Sequence, residues 1–470
     1  MTTLNNGLKL VTDSTPGHFS ALGAYVDAGS RYEDPKNPGL SHIHDRLSWK
    51  STKKYSGLQM IENLSKLGGN YMSSAQRESM IYQASVFNKD VEQMLEAITQ
   101  TIRYPNFTDQ EFLETLQTAD YEVQELNYKY DLLLPEELHS VAYKNNTLGL
   151  PLFAPKERIP LINKNDIINY HNKFFQPQNI VIAMVGVPHE IALKMVEKSF
   201  GDWKSNGIKP NKGLKNYTGG EISLPHQPPL YANQPELYHI QIGFETTGLL
   251  NDDLYSLATL QKLLGGGSSF SAGGPGKGMF SRLYTQVLNK YPFVENCMCF
   301  NHSYLDSGLF GITLSLVPEA SHVSSQIISH ELSKLLEYNE RQGGIKEIEL
   351  KRAKNQLTSS ILMNVESRLA KLEDLGRQIQ CQGKVTTIDE MVEKIKSLSL
   401  KDIRNIAEKV LTGNVITSEG LSSGQPSIVM QGDRESFGDV EYILRKYGLG
   451  KFNGPEIKEP RNFSKKKSWF

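Results

Sequence analysis

An α+β fold of two similar domains, each a mixed sheet flanked by helices, is predicted by three features of the chain. Its 470 residues exceed what one hydrophobic core holds. Apolar residues recur with period two in some segments and period 3.6 in others, mixed rather than strictly alternating, which argues against a simple βαβ series. Near the end of each half a segment repeats: Asp166-Ile-Ile-Asn169, Lys173 and Asn179-Ile-Val correspond to Asp402-Ile-Arg-Asn405, Lys409 and Asn414-Val-Ile at a nearly constant offset. Two such domains facing each other would enclose a large cavity in a clam-shell arrangement.

The elements follow in order. Asn6-Gly7 between alternating apolar residues predicts a hairpin at 4–11, and residues 20–27 predict a second strand. Helical periodicity covers 39–53, 58–67, 91–102, 109–127, 165–175 and 190–200, with strands at 79–86 and 179–185. Composition shifts to Gly, Asn and Pro between 204 and 235, with Pro210, Pro225, Pro228, Pro229 and Pro235, so the expected division is a domain at 1–203, a linker at 204–235 and a domain at 236–470. Beyond it the pattern restarts: a strand at 238–244, a helix at 252–264, strands at 294–300 and 309–316, and helices at 323–338 and 345–365.

Charge excludes one class of function. The net charge is -1, with 22% charged residues, and no basic face is evident, so nucleic acid is not an expected partner. No apolar run approaches the roughly 20 residues of a membrane span. The start, Met1-Thr-Thr-Leu-Asn-Asn-Gly7, carries neither an apolar signal core nor an Arg-rich transit segment. Cys297, Cys299 and Cys381 are too few for a disulfide framework and fit a reducing compartment; Cys297 and Cys299 read as packed thiols.

Three local patterns bear on chemistry. Residues 265–278, GGGSSFSAGGPGKG, hold seven glycines between two apolar-periodic segments and are expected to form a mobile loop. A phosphate loop is excluded, since Gly278 follows Lys277 where Ser or Thr is required and the preceding segment reads as a helix. The second pattern is His42-Ile-His-Asp45-Arg46. In His-x-x-Glu-His the two histidines share a helix face and bind zinc, and the Glu activates the metal-bound water. Here Asp45 stands at the Glu position and Arg46 at the second His, while His44 points to the other side of the helix. The third pattern is the acidic helix at 109–125, with Asp109, Glu111, Glu114, Asp120, Glu122 and Glu125 and no Lys or Arg; it reads as a solvated face or as a lure for a basic peptide.

Residues Asp27-Ala-Gly-Ser-Arg-Tyr-Glu-Asp34, 38–52, 265–284, Asn364-Val-Glu-Ser-Arg368 and Glu373-Asp-Leu-Gly-Arg-Gln378 together resemble the pitrilysin-like metallopeptidases over essentially the whole chain. Within that family the match is to the non-catalytic subunit type of the heterodimers that remove presequences in mitochondria. The resemblance implies several further things. The partner, a beta subunit with an intact motif, carries the zinc and cuts; this chain needs no cofactor of its own and has no catalytic residue. Glu122 occupies the position of the third zinc ligand of active relatives, completing a degenerate set of His42, Asp45, Arg46 and Glu122. The glycine-rich run contacts basic amphipathic presequences through Gly265, Gly266, Gly267, Ser268, Ser269, Phe270, Ser271, Gly273, Gly274, Gly276, Lys277 and Gly278. Glu366, Glu373 and Asp374 are candidate partners for substrate arginines, and the mitochondrial matrix is the expected location. Two other readings stay open: a structural core subunit of a respiratory complex, and a self-sufficient peptidase using His42, Asp45 and Glu122.

Overall fold

The computed structural model describes residues 1–229, 233–269, 278–416, 420–455, 457–461 and 463. In chain order the first part carries β1 (Thr2–Thr3), β2 (Lys9–Asp13), β3 (Phe19–Val26), α1 (Leu40–Arg46), α2 (Gly57–Leu67), β4 (Asn70–Ala75), β5 (Met80–Phe87), α3 (Val91–Arg103), α4 (Asp109–Leu126), α5 (Tyr130–Tyr143), α6 (Lys164–Phe174), β6 (Ile180–Val185) and α7 (His189–Phe200). Then follow β7 (Asn216–Tyr217), β8 (Gly220–Leu224), β9 (Tyr238–Thr246), α8 (Leu254–Leu264), β10 (Gly266–Ser268), β11 (Val294–Ser303), β12 (Gly308–Leu316), α9 (Ser324–Ser333), α10 (Glu347–Glu366), α11 (Arg368–Gln382), α12 (Ile388–Ser397), α13 (Leu400–Leu411), β13 (Leu421–Ser422), β14 (Ser427–Gln431) and α14 (Val440–Lys446).

Two compact units form. The first comprises Met1–Glu125, Leu150–Gly213 and Ile361–Thr387; the second comprises Leu126–Gly149, Leu214–Ser360 and Ile388–Phe470.

In the first unit six strands lie in the order β1-β2-β6-β3-β5-β4. β2 runs parallel to β6, and the β6-β3, β3-β5 and β5-β4 pairs are antiparallel. β6, Ile-Val-Ile-Ala-Met-Val, is buried at every position because both faces of the sheet are covered there. Ile180, Ile182 and Met184 enter the larger core with α1, α3, α6 and α7, whereas Val181, Ala183 and Val185 meet Leu372, Leu375 and Ile379 of α11. Gly376 brings α11 close: a Cβ there would overlap the Tyr25 ring.

The second unit repeats this topology. Its sheet runs β10-β11-β12-β9-β14-β8, with β8 parallel to β14 and the β14-β9, β9-β12 and β12-β11 pairs antiparallel. The strands therefore correspond in chain order, β2, β3, β4, β5 and β6 to β8, β9, β11, β12 and β14. The repeated sequence segments sit at equivalent places, since α6 and α13 both open with a capping box, Asn163 with Asp166 and Ser399 with Asp402. α5 plays in this unit the part that α11 plays in the first: Leu134, Leu138 and Ala142 pack with Phe300, Leu309 and Val429 on one face of the sheet, while the opposite face carries the main core.

The α+β class with two similar mixed sheets is as the sequence predicts, but several elements differ. The helix expected over 39–53 stops at Arg46 because Trp49 adopts φ 61°, which seats its ring against Tyr71 and Tyr82. The mobile run expected at 265–278 begins as an ordered edge strand, β10, paired with β11. Within the expected linker at 204–235, β8 is an integral strand of the second sheet. Residues 126–149 and 361–387 belong to the units that their neighbours in sequence do not.

Candidate functional site

α1 begins without a capping side chain of its own, because Gly39 occupies the N-cap position. Glu33 supplies the cap from outside, accepting the backbone N–H of Gly39 and of Ser41, each at 2.6 Å. Burial pushes the Glu33 carboxyl up to about 7 against the pull of those bonds from Ser41 and Gly39. On the far face of the helix His44 stacks with His171 and Phe175 in the core, its Nε2 3.0 Å from His171 Nδ1. Burial drives both imidazoles down in pKa, His171 to about 3, so the pair is neutral.

His42, Asp45 and Arg46 meet Glu122 of α4. The Arg46 Nε lies 2.8 and 2.9 Å from the two Glu122 carboxylate oxygens, and its Nη1 donates to Asp45 Oδ2 at 2.6 Å. His42 Nδ1 accepts the Ala154 backbone N–H at 3.2 Å, which leaves the ring proton on Nε2 to be donated to Glu122 Oε2 at 3.0 Å. Burial raises the Glu122 carboxyl, but the bonds from His42 and Arg46 outweigh it and hold the group below its ordinary value. Asp45 is shifted up by burial, with Arg46 pulling the other way.

A zinc ion does not fit these residues. The His42 Nε2 that faces Glu122 bears a proton where a ligand needs a lone pair, and the second histidine is replaced by a guanidinium that already neutralises Glu122. Among the described residues no group of three or more His, Cys, Asp or Glu side chains is arranged to hold a metal.

Much of the acidic helix is engaged in ordinary structure. Asp109 pairs with Lys164 at 2.5 Å, and Glu111 accepts Ser51 N–H at 2.9 Å and Ser51 Oγ at 2.6 Å. Glu114 and Asp120 accept Gln110 and Gln124 one turn away.

The base of the glycine-rich run is tied shut. β10 pairs Gly266 with Met298, Gly267 with Cys297 and Ser268 with Asn296. Gly266 has φ 93°, and a Cβ there would overlap the Cys297 carbonyl oxygen, so the close strand approach requires glycine. Across the run, Gly266 N–H donates to Ser281 Oγ at 3.1 Å and Tyr284 OH donates to the Ser268 carbonyl at 3.0 Å. Arg282 then clamps Glu349 of α10 with two bonds of 3.0 and 2.8 Å. Gly265, Ser269 and Gly278 complete the described stem; Phe270, Ser271, Gly273, Gly274, Gly276 and Lys277 lie outside the described residues.

The three acids proposed for substrate arginines do not form one cluster of side-chain contacts. Glu366 is exposed at the end of α10, Glu373 is half-buried near Gln83, whose Nε2 lies 3.5 Å away, and Asp374 accepts Gln378 at 2.8 Å. Sequence reasoning missed the Glu33 cap and the Ser281, Arg282 and Tyr284 stem. A helix start lacking any Ser, Thr, Asp or Asn at its cap was the available signal for the first.

Residues 9–156 match the family model described as insulinase, peptidase family M16, and residues 161–357 match the peptidase M16 inactive domain. The chain is 43% identical over 497 residues to the Neurospora crassa mitochondrial-processing peptidase subunit alpha, covering 92% of this chain and 86% of that protein. It is 44% identical over 450 residues to the probable mitochondrial-processing peptidase subunit alpha of Schizosaccharomyces pombe, covering 95% and 88%. The human mitochondrial-processing peptidase subunit alpha is 32% identical over 460 residues, covering 94% and 83%. With both domain models matched, and the motif of the family filled by His42, Asp45, Arg46 and Glu122, the chain belongs to peptidase family M16.

Proposed function

We propose that this chain is the non-catalytic, substrate-recognising subunit of a heterodimeric mitochondrial processing peptidase. It binds basic amphipathic presequences in the mitochondrial matrix for cleavage by a zinc-bearing beta subunit. The observation that carries this reading is the Arg46–Glu122 ion pair: the position that would complete a metal site holds a cation bonded to the remaining carboxylate. Relatives named as alpha subunits of the same peptidase support it.

The hydrolytic step then belongs to the partner's metal, which activates water. This chain contributes binding. The glycine-rich run, Gly265, Gly266, Gly267, Ser268, Ser269 and onward to Gly278, is the sequence-tolerant contact for an extended peptide. Glu366, Glu373 and Asp374 are the acids proposed to meet its arginines.

The test mixes this chain with a homologue carrying the intact His-x-x-Glu-His and follows cleavage of a synthetic presequence peptide. Cleavage is expected only in the mixture, and deletion of residues 265–278 is expected to abolish it. Cleavage by the isolated chain, lost on chelation and restored by zinc, overturns the reading; unchanged cleavage after the deletion removes the role of the run.

A further inference from the structure

The second unit contains a cavity of about 390 Å³ outside the degenerate motif and outside the glycine-rich run. Its walls are aromatic and proline-rich, with Tyr128, Tyr130, Pro228 and Pro235 among the lining residues and Glu295, His239 and Gln431 also facing it. No Lys or Arg is among its described lining residues. The carboxylate of Glu295 meets no hydrogen-bond or ion-pair partner among the described residues, although every other acid discussed above from Asp109 to Glu122 is bonded.

The fold sets up this arrangement. β11 slips register against β12 between Val294 and Asn296, so Glu295 is the extra residue of a bulge. Tyr130, at the first turn of α5, stacks on His239 of β9 with ring centroids 4.1 Å apart and planes 15° from parallel. His239 Nδ1 is 2.7 Å from Ser315 Oγ, and burial pushes the imidazole down to about 4, so this wall is uncharged at neutral pH. Tyr128, just before the helix, is 49% exposed at the rim.

We propose that this cavity is a receptor for a guanidinium, seating one arginine side chain of a basic peptide between the tyrosine rings with its charge on Glu295. A flat, weakly hydrated cation suits such a site better than an ammonium, because it stacks on aromatic faces and still pairs with a carboxylate. A free carboxylate beside aromatic faces, without a cation of its own, is a half-built pair. Its place in the fold matches the substrate: Ser269, the last described residue of the glycine-rich run before position 270, donates its N–H to the Glu295 carbonyl at 2.6 Å. The run thus leaves the sheet at the residue that supplies the cavity's charge. This assignment rests on the presequence reading above and adds to it a site distinct from Glu366, Glu373 and Asp374.

The test measures binding of two fluorescent synthetic peptides to the full chain at low salt. One is a basic amphipathic peptide with arginines and the other is the same peptide with citrulline at those positions. Wild-type chain is expected to prefer the arginine peptide. Glu295→Gln is expected to weaken that peptide about tenfold, the effect of losing one charge-assisted bond, and Tyr128→Ala about threefold through the lost ring face. The citrulline peptide is expected to bind both variants as it binds wild type. Because the Glu295 carboxylate supports no bond among the described residues, the melting temperature of Glu295→Gln should match wild type. If wild type prefers arginine but both variants bind the arginine peptide unchanged, the cavity assignment is overturned and the presequence reading stands. If wild type binds neither peptide, the presequence reading itself fails and the assignment falls with it.

Discussion

Arg46 faces Glu122 with its Nε nearly equidistant from the two carboxylate oxygens, at 2.8 and 2.9 Å. The geometry makes the arginine a stand-in for the charge of a metal, held in place by its own helix. Replacing it with histidine removes that cation and puts imidazoles at positions 42 and 46 on one helix face opposite Glu122. Arg46→His is nevertheless expected to stay metal-free after dialysis, measured by metal analysis, because the Ala154 N–H keeps the His42 ring proton on the Nε2 that would have to bind the metal. Arg46→Ala is expected to lower stability by about 1 kcal/mol, a small value because both partners are about one-third exposed. One equivalent of zinc in the Arg46→His chain would count against the reading of this site.

The edge strand β10 depends on a glycine. Gly266→Ala is expected to expel the strand from β11, since the new methyl collides with the Cys297 carbonyl and φ 93° is strained for alanine. Hydrogen exchange at the Ser269 amide, now bonded to the Glu295 carbonyl, should accelerate, and presequence cleavage by the mixed heterodimer should fall. Protection of that amide in the variant would show that the strand tolerates the substitution.

Gly376 governs how α11 lies on the first sheet. An alanine there collides with the Tyr25 ring, whose OH accepts from Gln83 at 3.0 Å and so cannot swing aside without losing that bond. Gly376→Ala is expected to cost about 1–3 kcal/mol by overpacking, read as a lowered urea midpoint. A midpoint equal to wild type would mean that the helix shifts freely.

Glu33 gives the fold a pH dependence of defined sign. Its carboxyl is raised from the ordinary 4.5 to about 7 in the folded protein, chiefly by burial. The folded state therefore holds a proton that the unfolded chain releases, and the stability this group contributes is fully present below pH 4.5 and lost as pH rises to about 7. His171 acts oppositely: with its pKa lowered to about 3, its contribution is present above pH 6.5 and lost on acidification. Glu33→Gln should remove the first effect and leave the second, so denaturation midpoints of the variant should gain on wild type between pH 5 and 7. Parallel pH profiles of the two proteins would contradict this.

Legibility in the sequence followed how locally each element is determined. β6 is six consecutive apolar residues, and α3 and α7 show clear amphipathic spacing, so all three could be read directly. β4, Asn-Tyr-Met-Ser-Ser-Ala, is a polar edge strand without alternation to detect. α5 contains Pro135 and three adjacent leucines, which blur the helical period, and the surfaces that bury it belong to β8, β9 and β14, distant in sequence. At the site, the spacing of His42 and Arg46 revealed the broken motif, but the meeting with Glu122 came only through family resemblance. The Ala154 bond that fixes the His42 proton has no sequence signature at all.

The placement of α5 and α11 has a consequence for synthesis of the protein. The sheet formed by the first 185 residues leaves Val181, Ala183 and Val185 uncovered until Leu372, Leu375 and Ile379 have been translated. A sheet assembled before those residues are made has one apolar face without its covering helix. For the same reason, a polypeptide severed within 204–235 would yield an amino-terminal fragment short of one wall.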